Sequence, residues 1–389
     1  NTVSINVPVD VDNYVTGMTF APSTSILTLT RTGALGSLTA TVMDHDWYEV
    51  GTTRPPDAIT DEMFHTGKTG IGMNPVWLLD VAEDARINGH QIGTGPYIDS
   101  WTNLRFGKDA LSSNVSGSYN LAIGAYALDS STTSSENLAI GYRSLVSVID
   151  SASLNIAIGI QSMEASVTSY DNTAVGHYTL QSSTYSRYNT AIGHAVMLRS
   201  IAGFENTGVG DYALVNDTDP RQNVAVGRFA MEHSEQATGN TAIGRYSMQI
   251  IGTLPVGNTA LGFESLMGTN GSGLEYNIAI GYKAAHYLKG NSFQNILIGK
   301  QAGEEIDGDY NIGIGNNIMN TTVGSNNIVL GNTNYVVNAS NNVIIGYNQT
   351  ISSSGNIILT NGLGTVALKM LTSGYVGIGG ELTPTQSLH

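Results

Sequence analysis

Two histidines, His177 and His194, stand seventeen residues apart in the phrases TAVGHYTL and TAIGHAVM, with Asp211 seventeen further on. Neutral imidazole is a common metal ligand, so histidines recurring at one interval form a candidate metal pair once the chain stacks successive intervals. Ordinary surface variation produces the same pattern, and no metal or other cofactor is expected. The phrase HTGKTG (65–70) carries the lysine of a phosphate-binding loop, but that loop needs a glycine five residues before the Gly-Lys pair, where Glu62 stands. Carboxylates for glycoside cleavage must pair at roughly 5–9.5 Å across a groove. Here Asp171, Glu205, Asp217, Asp219, Glu232, Glu235, Glu304 and Glu305 are scattered with no repeated pairing. The chain is therefore expected not to be an enzyme, with polysaccharide degradation as the catalytic alternative.

Aromatic residues make the most regular chemical pattern. Tyr126, Tyr142, Tyr178, Tyr212, Phe229, Tyr246, Phe263 and Tyr282 each follow a glycine by one or two positions, mixed with Arg143, Arg228, Arg245 and Lys283. Stacked along a rod, such residues form a stripe whose aromatic faces and neighbouring cations suit sugar rings. Tyr126, Tyr142, Arg143, Tyr178, Tyr212, Phe229, Tyr246 and Tyr282 are the candidate glycan-contacting residues. The alternative is that these rings cover a junction between subunits or shield the edge of a coil.

The element that must position them is a repeat. The pattern Asn-x-Ala/Gly-aliphatic-Gly starts at Asn120, Asn137, Asn155, Asn172, Asn189, Asn206, Asn223, Asn240, Asn258 and Asn277. Asn103 precedes these in register, and Asn295, Asn311, Asn327 and Asn342 follow. A period near seventeen, shortening to fifteen and fourteen at the end, is the signature of a solenoid whose units bury their apolar faces against one another. The pentad is too short and β-branched for a helix and reads as a strand. Its second and fourth residues, such as Leu121/Ile123 and Ile278/Ile280, share one face and are expected to stack as an internal aliphatic ladder. The third position is small, from Ala122 to Ala279, which implies close packing on the opposite face, most simply by another copy of the chain. Thr173, Thr190, Thr207, Thr241 and Thr259 interrupt the ladder and are expected to point inward; the interruption argues against an ice-binding threonine surface. The fifth position suits a positive φ.

The leading asparagine is best placed to bond turn backbone or the same asparagine in the adjacent coil. An apolar residue four positions after the glycine, from Leu128 to Leu266, supplies a second core contact, and the Ser/Thr-rich tract that follows belongs on a surface corner. Some fifteen coils rising about 4.8 Å each make a rod on the order of 70 Å long. A thin stack has exposed edges and a shallow core, so an intertwined or bundled homotrimer is expected. Large residues at the small position of late units, Leu297, Val329, Ile344 and Ile358, point to a shared trimer core there.

Composition agrees with an all-β, repetitive solenoid or β-roll. Forty-six glycines and 12% charged residues in 389 positions fit a turn-rich β chain, and the absence of cysteine removes disulfides and thiolate metal sites. A net charge of -15 with 16 Lys and Arg argues against nucleic acid as a partner. No apolar run is long enough to span a membrane as a helix. The organisation reads as a β-rich module over 1–64, an irregular connector over 65–102, the solenoid over 103–360 and a C-terminal segment over 361–389. Within it, 16–42 alternates as two or three strands, and 81–96 reads as a lead-in cap. The chain starts at Asn1 without an initiator Met, as a fragment or processed product would.

The NxAIG units resemble the head repeats of trimeric autotransporter adhesins and, with the following Ala-Leu, look still more like repeat arrays of bacteriophage tail fibres. The resemblance covers roughly residues 103–360. The C-terminal SGYVGIGGELTPTQSLH (373–389), echoed by HTGKTGIGMNPVWLLDV at 65–81, resembles the segment that in tail fibres leads into a self-cleaving chaperone domain. The resemblance implies a homotrimeric, virion-borne, receptor-binding fibre or spike. Its expected partners are other tail proteins, through the N-terminal region, and a host-surface glycan or outer-membrane component. A bacterial cell-surface adhesin is the alternative, though the heptads of an adhesin stalk are absent here.

Overall fold

The computed structural model describes, between residues 15 and 93, the strands named below, and then residues 102–147, 152–249, 254–268, 273–289, 292–320 and 324–379. The chain divides into two compact units, Asn1–Glu83 and Asp84–His389. In the first, Val15–Ala21, Ile26–Arg31 and Leu38–Thr41 form an antiparallel meander, where the alternation of 16–42 placed two or three strands. Trp47–Glu49 pairs antiparallel with Met63–His65, and Thr69–Ile71 pairs parallel with Leu79–Val81. Residues 66–68 of the HTGKTG phrase and 380–389 of the C-terminal phrase lie outside the described residues.

The second unit is a β-solenoid, and the described residues contain no helix. Short strands, three residues long as far as Ile312–Ile314 and four or five beyond, pair in parallel and in register from Leu104–Phe106 onward: Leu121 faces Leu138, Leu138 faces Ile156, and so on to Val343 opposite Ile357. A second parallel ladder of single bridges runs Tyr170, Arg187, Phe204, Arg221, Thr238, Val256, Glu275, Phe293. Both ends are closed by antiparallel strands. Ala85–Ile87 and His90–Gly93 form a hairpin that pairs with the first coil, and Ile357–Thr360 continues into Val366–Met370 and Val376–Ile378. Such pairing covers the open edges that would otherwise recruit foreign strands.

The asparagines are the internal frame. From Asn120 to Asn356 each sits buried and aligned with its predecessor. In the middle of the stack, Asn206 Oδ1 accepts both the backbone amide (3.0 Å) and the side-chain amide (3.1 Å) of Asn223, while Asn206 Nδ2 donates to Pro220 O at 2.7 Å. The structural role expected of these residues is the one they have.

The aliphatic ladder lies on the opposite face from the one expected. From Leu121–Ile123 to Ile278–Ile280 the small third residue is the buried one: Ala122, Ala139, Ala157, Ala174 and Ala191 are fully inaccessible, whereas Leu121 and Ile123 are half-buried and Ile156, Ile192 and Ile243 are exposed. The recurring threonines face outward with them. The reason is the width of the coil. A Cβ added at Gly208 would come within 2.6 Å of Val196 Cγ1 and 2.9 Å of Met197 Cε in the preceding coil, so the inward side of the strand meets a close apolar wall and carries a small residue. That wall is the residue four after the glycine, Leu128 through Leu266, buried as expected.

Leu297, Val329, Ile344 and Ile358 are likewise internal to the single chain rather than part of a shared trimer core. Leu297 is accommodated because Gly303 and Gly313 lie against it, where a Cβ would come within 2.7 and 3.2 Å of its methyls.

The Ser/Thr tract is not wholly a surface corner. Ser131 and Ser134, Ser166 and Ser169, Ser183 and Ser186 turn inward at every third position. Ser166 and Ser183 hydroxyls meet at 2.7 Å, and Ser162 and Thr179 at 2.9 Å. At Asp217 this column substitutes a carboxylate for serine, accepting backbone amides from Gln236 (2.8 Å), Ala237 (3.1 Å) and Asp219 (3.2 Å). Burial outweighs those three donors and pushes the Asp217 carboxyl up to about 7.

Turns in this path need left-handed backbone. Gly227, at φ 132°, would place a Cβ 2.6 Å from Gly244 O in the next coil. Non-glycine residues share the burden: Glu205, Tyr212 and Leu214 have φ of 54°, 58° and 53°. Each such residue costs roughly 1–2 kcal/mol. Their amides are all used between coils, Glu205 N to Arg187 O, Tyr212 N to His194 O and Leu214 N to Ala230 O, at 2.9–3.1 Å.

Two outcomes are expected from this arrangement. Ala191→Leu should lower the thermal midpoint sharply while Thr190→Leu, on the outer face, should leave it nearly unchanged; the reverse order would put the interior on the other face. Because the folded Asp217 carboxyl titrates near 7 and an unfolded one near 3.9, its protonated form favours folding. That contribution is complete below about pH 4 and lost as pH rises through about 7. Melting temperature measured from pH 4 to 8 should fall less steeply in Asp217→Asn than in the parent chain.

Candidate glycan-binding edge

The glycine that ends each strand turns the chain outward, and the two residues after it stand at the edge of the coil. Stacking at one residue position per coil converts the sequence stripe into a column of rings. Tyr126 meets Tyr142 edge-on at 6.1 Å, and Tyr178, His194 and Tyr212 follow with centroids 5.8 and 5.1 Å apart. The next rings turn parallel: Tyr212 to Phe229 at 5.2 Å and Phe229 to Tyr246 at 5.3 Å, the latter pair tilted by only 1°. Phe263 and Tyr282 continue it. Positions one and two after the glycine thus serve one column, because the left-handed residue at the second position brings its side chain back beside that of the first in the neighbouring coil.

Cations lie on these rings. Arg228 stands 4.4 Å from the Phe229 centroid, Arg245 4.4 Å from Tyr246 and 5.9 Å from Phe263, Lys283 5.8 Å from Tyr282 and Lys108 5.6 Å from Tyr126. Arg143 and Lys283 are also neutralised by acids, at 2.7 Å from Glu164 and 3.2 Å from Glu264. The Glu264 partnership holds the Lys283 ammonium above its ordinary range. Glu264 also bonds His286 Nε2 at 3.0 Å; His286 is almost wholly buried, and desolvation lowers its tendency to protonate.

All eight candidate residues therefore stand on one edge. The column has a gap between Tyr142 and Tyr178, where Ile160 and Gln161 occupy the corresponding positions.

The histidines do not form a shared ligand set. His177 Nδ1 accepts the Ile160 amide at 3.0 Å, whereas the His194 ring is set edge-on between Tyr178 and Tyr212. Among the described residues no group of three or more His, Asp or Glu side chains could hold a metal ion, and no helix is long and apolar enough to cross a membrane.

A second aromatic edge lies on the other side of the strand and was not anticipated. Tyr170, Tyr188 and Phe204 make contacts of 5.4 and 6.0 Å, and Arg187 lies 4.9 Å from Phe204 with its guanidinium donating to the Tyr170 hydroxyl at 3.3 Å. The residue before each asparagine supplies part of it, and Tyr119, Tyr188, Tyr276 and Tyr310 recur there, all exposed. That recurrence was readable in the sequence, but only the bridge ladder places it beside Phe204 and Arg187.

Phe229 makes two stacked contacts, each worth about 0.5–1.5 kcal/mol, and one cation–π contact worth about 0.5–1 kcal/mol. Phe229→Ala is expected to destabilise the solenoid by about 2 kcal/mol in denaturant titration, against a few tenths for an isolated exposed ring such as Tyr185→Ala. Comparison of the chain with protein families, curated proteins and solved structures gives no match.

Proposed function

We propose that this chain is a rigid, homotrimeric shaft and receptor-binding segment of a bacteriophage tail fibre or tail spike that adheres to a host-surface glycan or outer-membrane component without cleaving it. A β-solenoid rod is a structural element suited to a fibre or spike. The observation that carries the rest is the outward aliphatic face. Its second and fourth strand residues pair in register along the stack, and Leu261, Ile314, Ile345 and Ile357 remain about two-fifths exposed in the single chain. The fourth strand residues, from Ile123 to Ile345, form an apolar row that the threonines at the second position do not interrupt, and a row of that length is an association surface, not an ordinary solvent face. Three identical copies covering it around one axis bury it completely and leave both aromatic edges at the subunit margins.

Binding through many equivalent coils on three chains gives avidity from individually weak contacts. The meander of the first unit is the part available for attachment to other virion proteins.

Light scattering in solution is expected to give three times the 41.0 kDa chain mass. Replacing Ile278, Ile280, Ile296 and Ile298 together by Gln should yield a monomer with unchanged β circular dichroism, since none of the four points into the chain's own core. A parent chain that is monomeric at all concentrations would overturn the trimer.

A further inference from the structure

We infer that the stretch of the aromatic edge spanning Arg228 and Arg245 is a subsite for an acidic, carboxylate-bearing polysaccharide. The inference rests on the glycan-binding reading above and narrows it to one ligand class and two coils. The chain carries a net charge of -15 with 16 Lys and Arg, so an unneutralised pair of cations is a departure from its surroundings. Arg143 and Lys283, on the same edge, each hold a carboxylate. Arg228 and Arg245 do not: both are exposed, and no carboxylate of the described residues forms an ion pair with either.

They are nevertheless fixed. Each guanidinium lies 4.4 Å from the centroid of the ring that follows it, and Arg245 also donates to the Tyr246 hydroxyl at 3.0 Å. The two rings are parallel and 5.3 Å apart, so the two guanidiniums lie at the same distance over like-oriented rings in successive coils. A planar guanidinium held in place loses little freedom on binding a carboxylate and can do so through two bonds.

The neighbours select the ligand further. Asp211 occupies the same edge position as Arg228 one coil earlier, and one coil after Arg245 that position is Phe263, followed by Glu264, whose carboxylate is already held by Lys283. An acid on one side and a neutralised pair on the other confine the unpaired positive charge to two coils, which disfavours a densely charged polyphosphate, whose further charges would go unmatched or meet Asp211. A uronate chain carries one carboxylate per sugar and presents hydroxyls and apolar ring faces between charges. Tyr212, half-buried at the margin of the pair, supplies a ring and a hydroxyl for those.

The test is binding of an oligogalacturonate, a neutral oligogalactan and inorganic polyphosphate to the intact chain by calorimetry. It is repeated with Arg228→Gln/Arg245→Gln and Arg228→Lys/Arg245→Lys, whose folding is checked by melting temperature. The expected result is oligogalacturonate binding that weakens with ionic strength and falls at least about tenfold in the Gln pair, with a smaller loss in the Lys pair. Binding of the neutral glycan alone, unchanged in both variants, overturns this subsite but leaves glycan adhesion standing. Equal or tighter binding of polyphosphate overturns the carboxylate assignment. Absence of binding to either saccharide counts against the subsite and against glycan adhesion on this edge together.

Discussion

Everything in the second unit depends on one hydrogen-bonded column, the side-chain amides of Asn103 to Asn356. A coil of about seventeen residues has too small an interior to hold itself together by apolar burial alone, and each coil buries chiefly an alanine, a leucine or methionine and a few serines. The amide supplies what burial does not. It offers an acceptor to the next coil's backbone and side chain and a donor to a carbonyl further round the turn, so buried polar groups are satisfied between coils. Because each asparagine serves its neighbour as well as itself, stability propagates along the stack instead of residing in any one unit.

That column fixes the coil's cross-section, and the cross-section decides which side chains face in. With the amides aligned, the inward side of the strand stands close to a wall of Leu and Met residues, and through most of the stack that side carries alanine or glycine. The residues on either side of the alanine then face outward, and those that follow it form an apolar row along the stack. Where the interior does widen, as at Leu297, glycines at 303 and 313 give up the volume. The same narrow coil requires left-handed residues at its corners, and bulky ones such as Tyr212 and Leu214 are held there because inter-coil bonds return the cost.

Functional capacity sits on what the frame leaves free. The edge residues after each glycine contribute rings to a column but no atom to the asparagine ladder, so their identity can change from tyrosine to histidine, aspartate or arginine without altering the path of the chain. That freedom allows a two-coil charged patch at Arg228 and Arg245 to stand within an otherwise acidic surface.

By itself the sequence determined the periodicity, the strand in each pentad, the structural role of the asparagines, the positive φ of the glycines and the alignment of the aromatic stripe. Each of these follows from residue spacing or from a conformational preference local to a few residues. Alternation with a period of two established that Leu121 and Ile123 share one face and Ala122 the other, but it carries no sign, and a wide interior would have taken the larger residues. Only the tertiary structure decided the direction, because it depends on how closely the apolar wall of the interior approaches the strand, as Val196 and Met197 approach Gly208. It also decided that Ser134 and Asp217 are internal, and that Tyr188 joins Phe204 and Arg187 in a second aromatic edge, since those contacts depend on how the return segment stacks between coils.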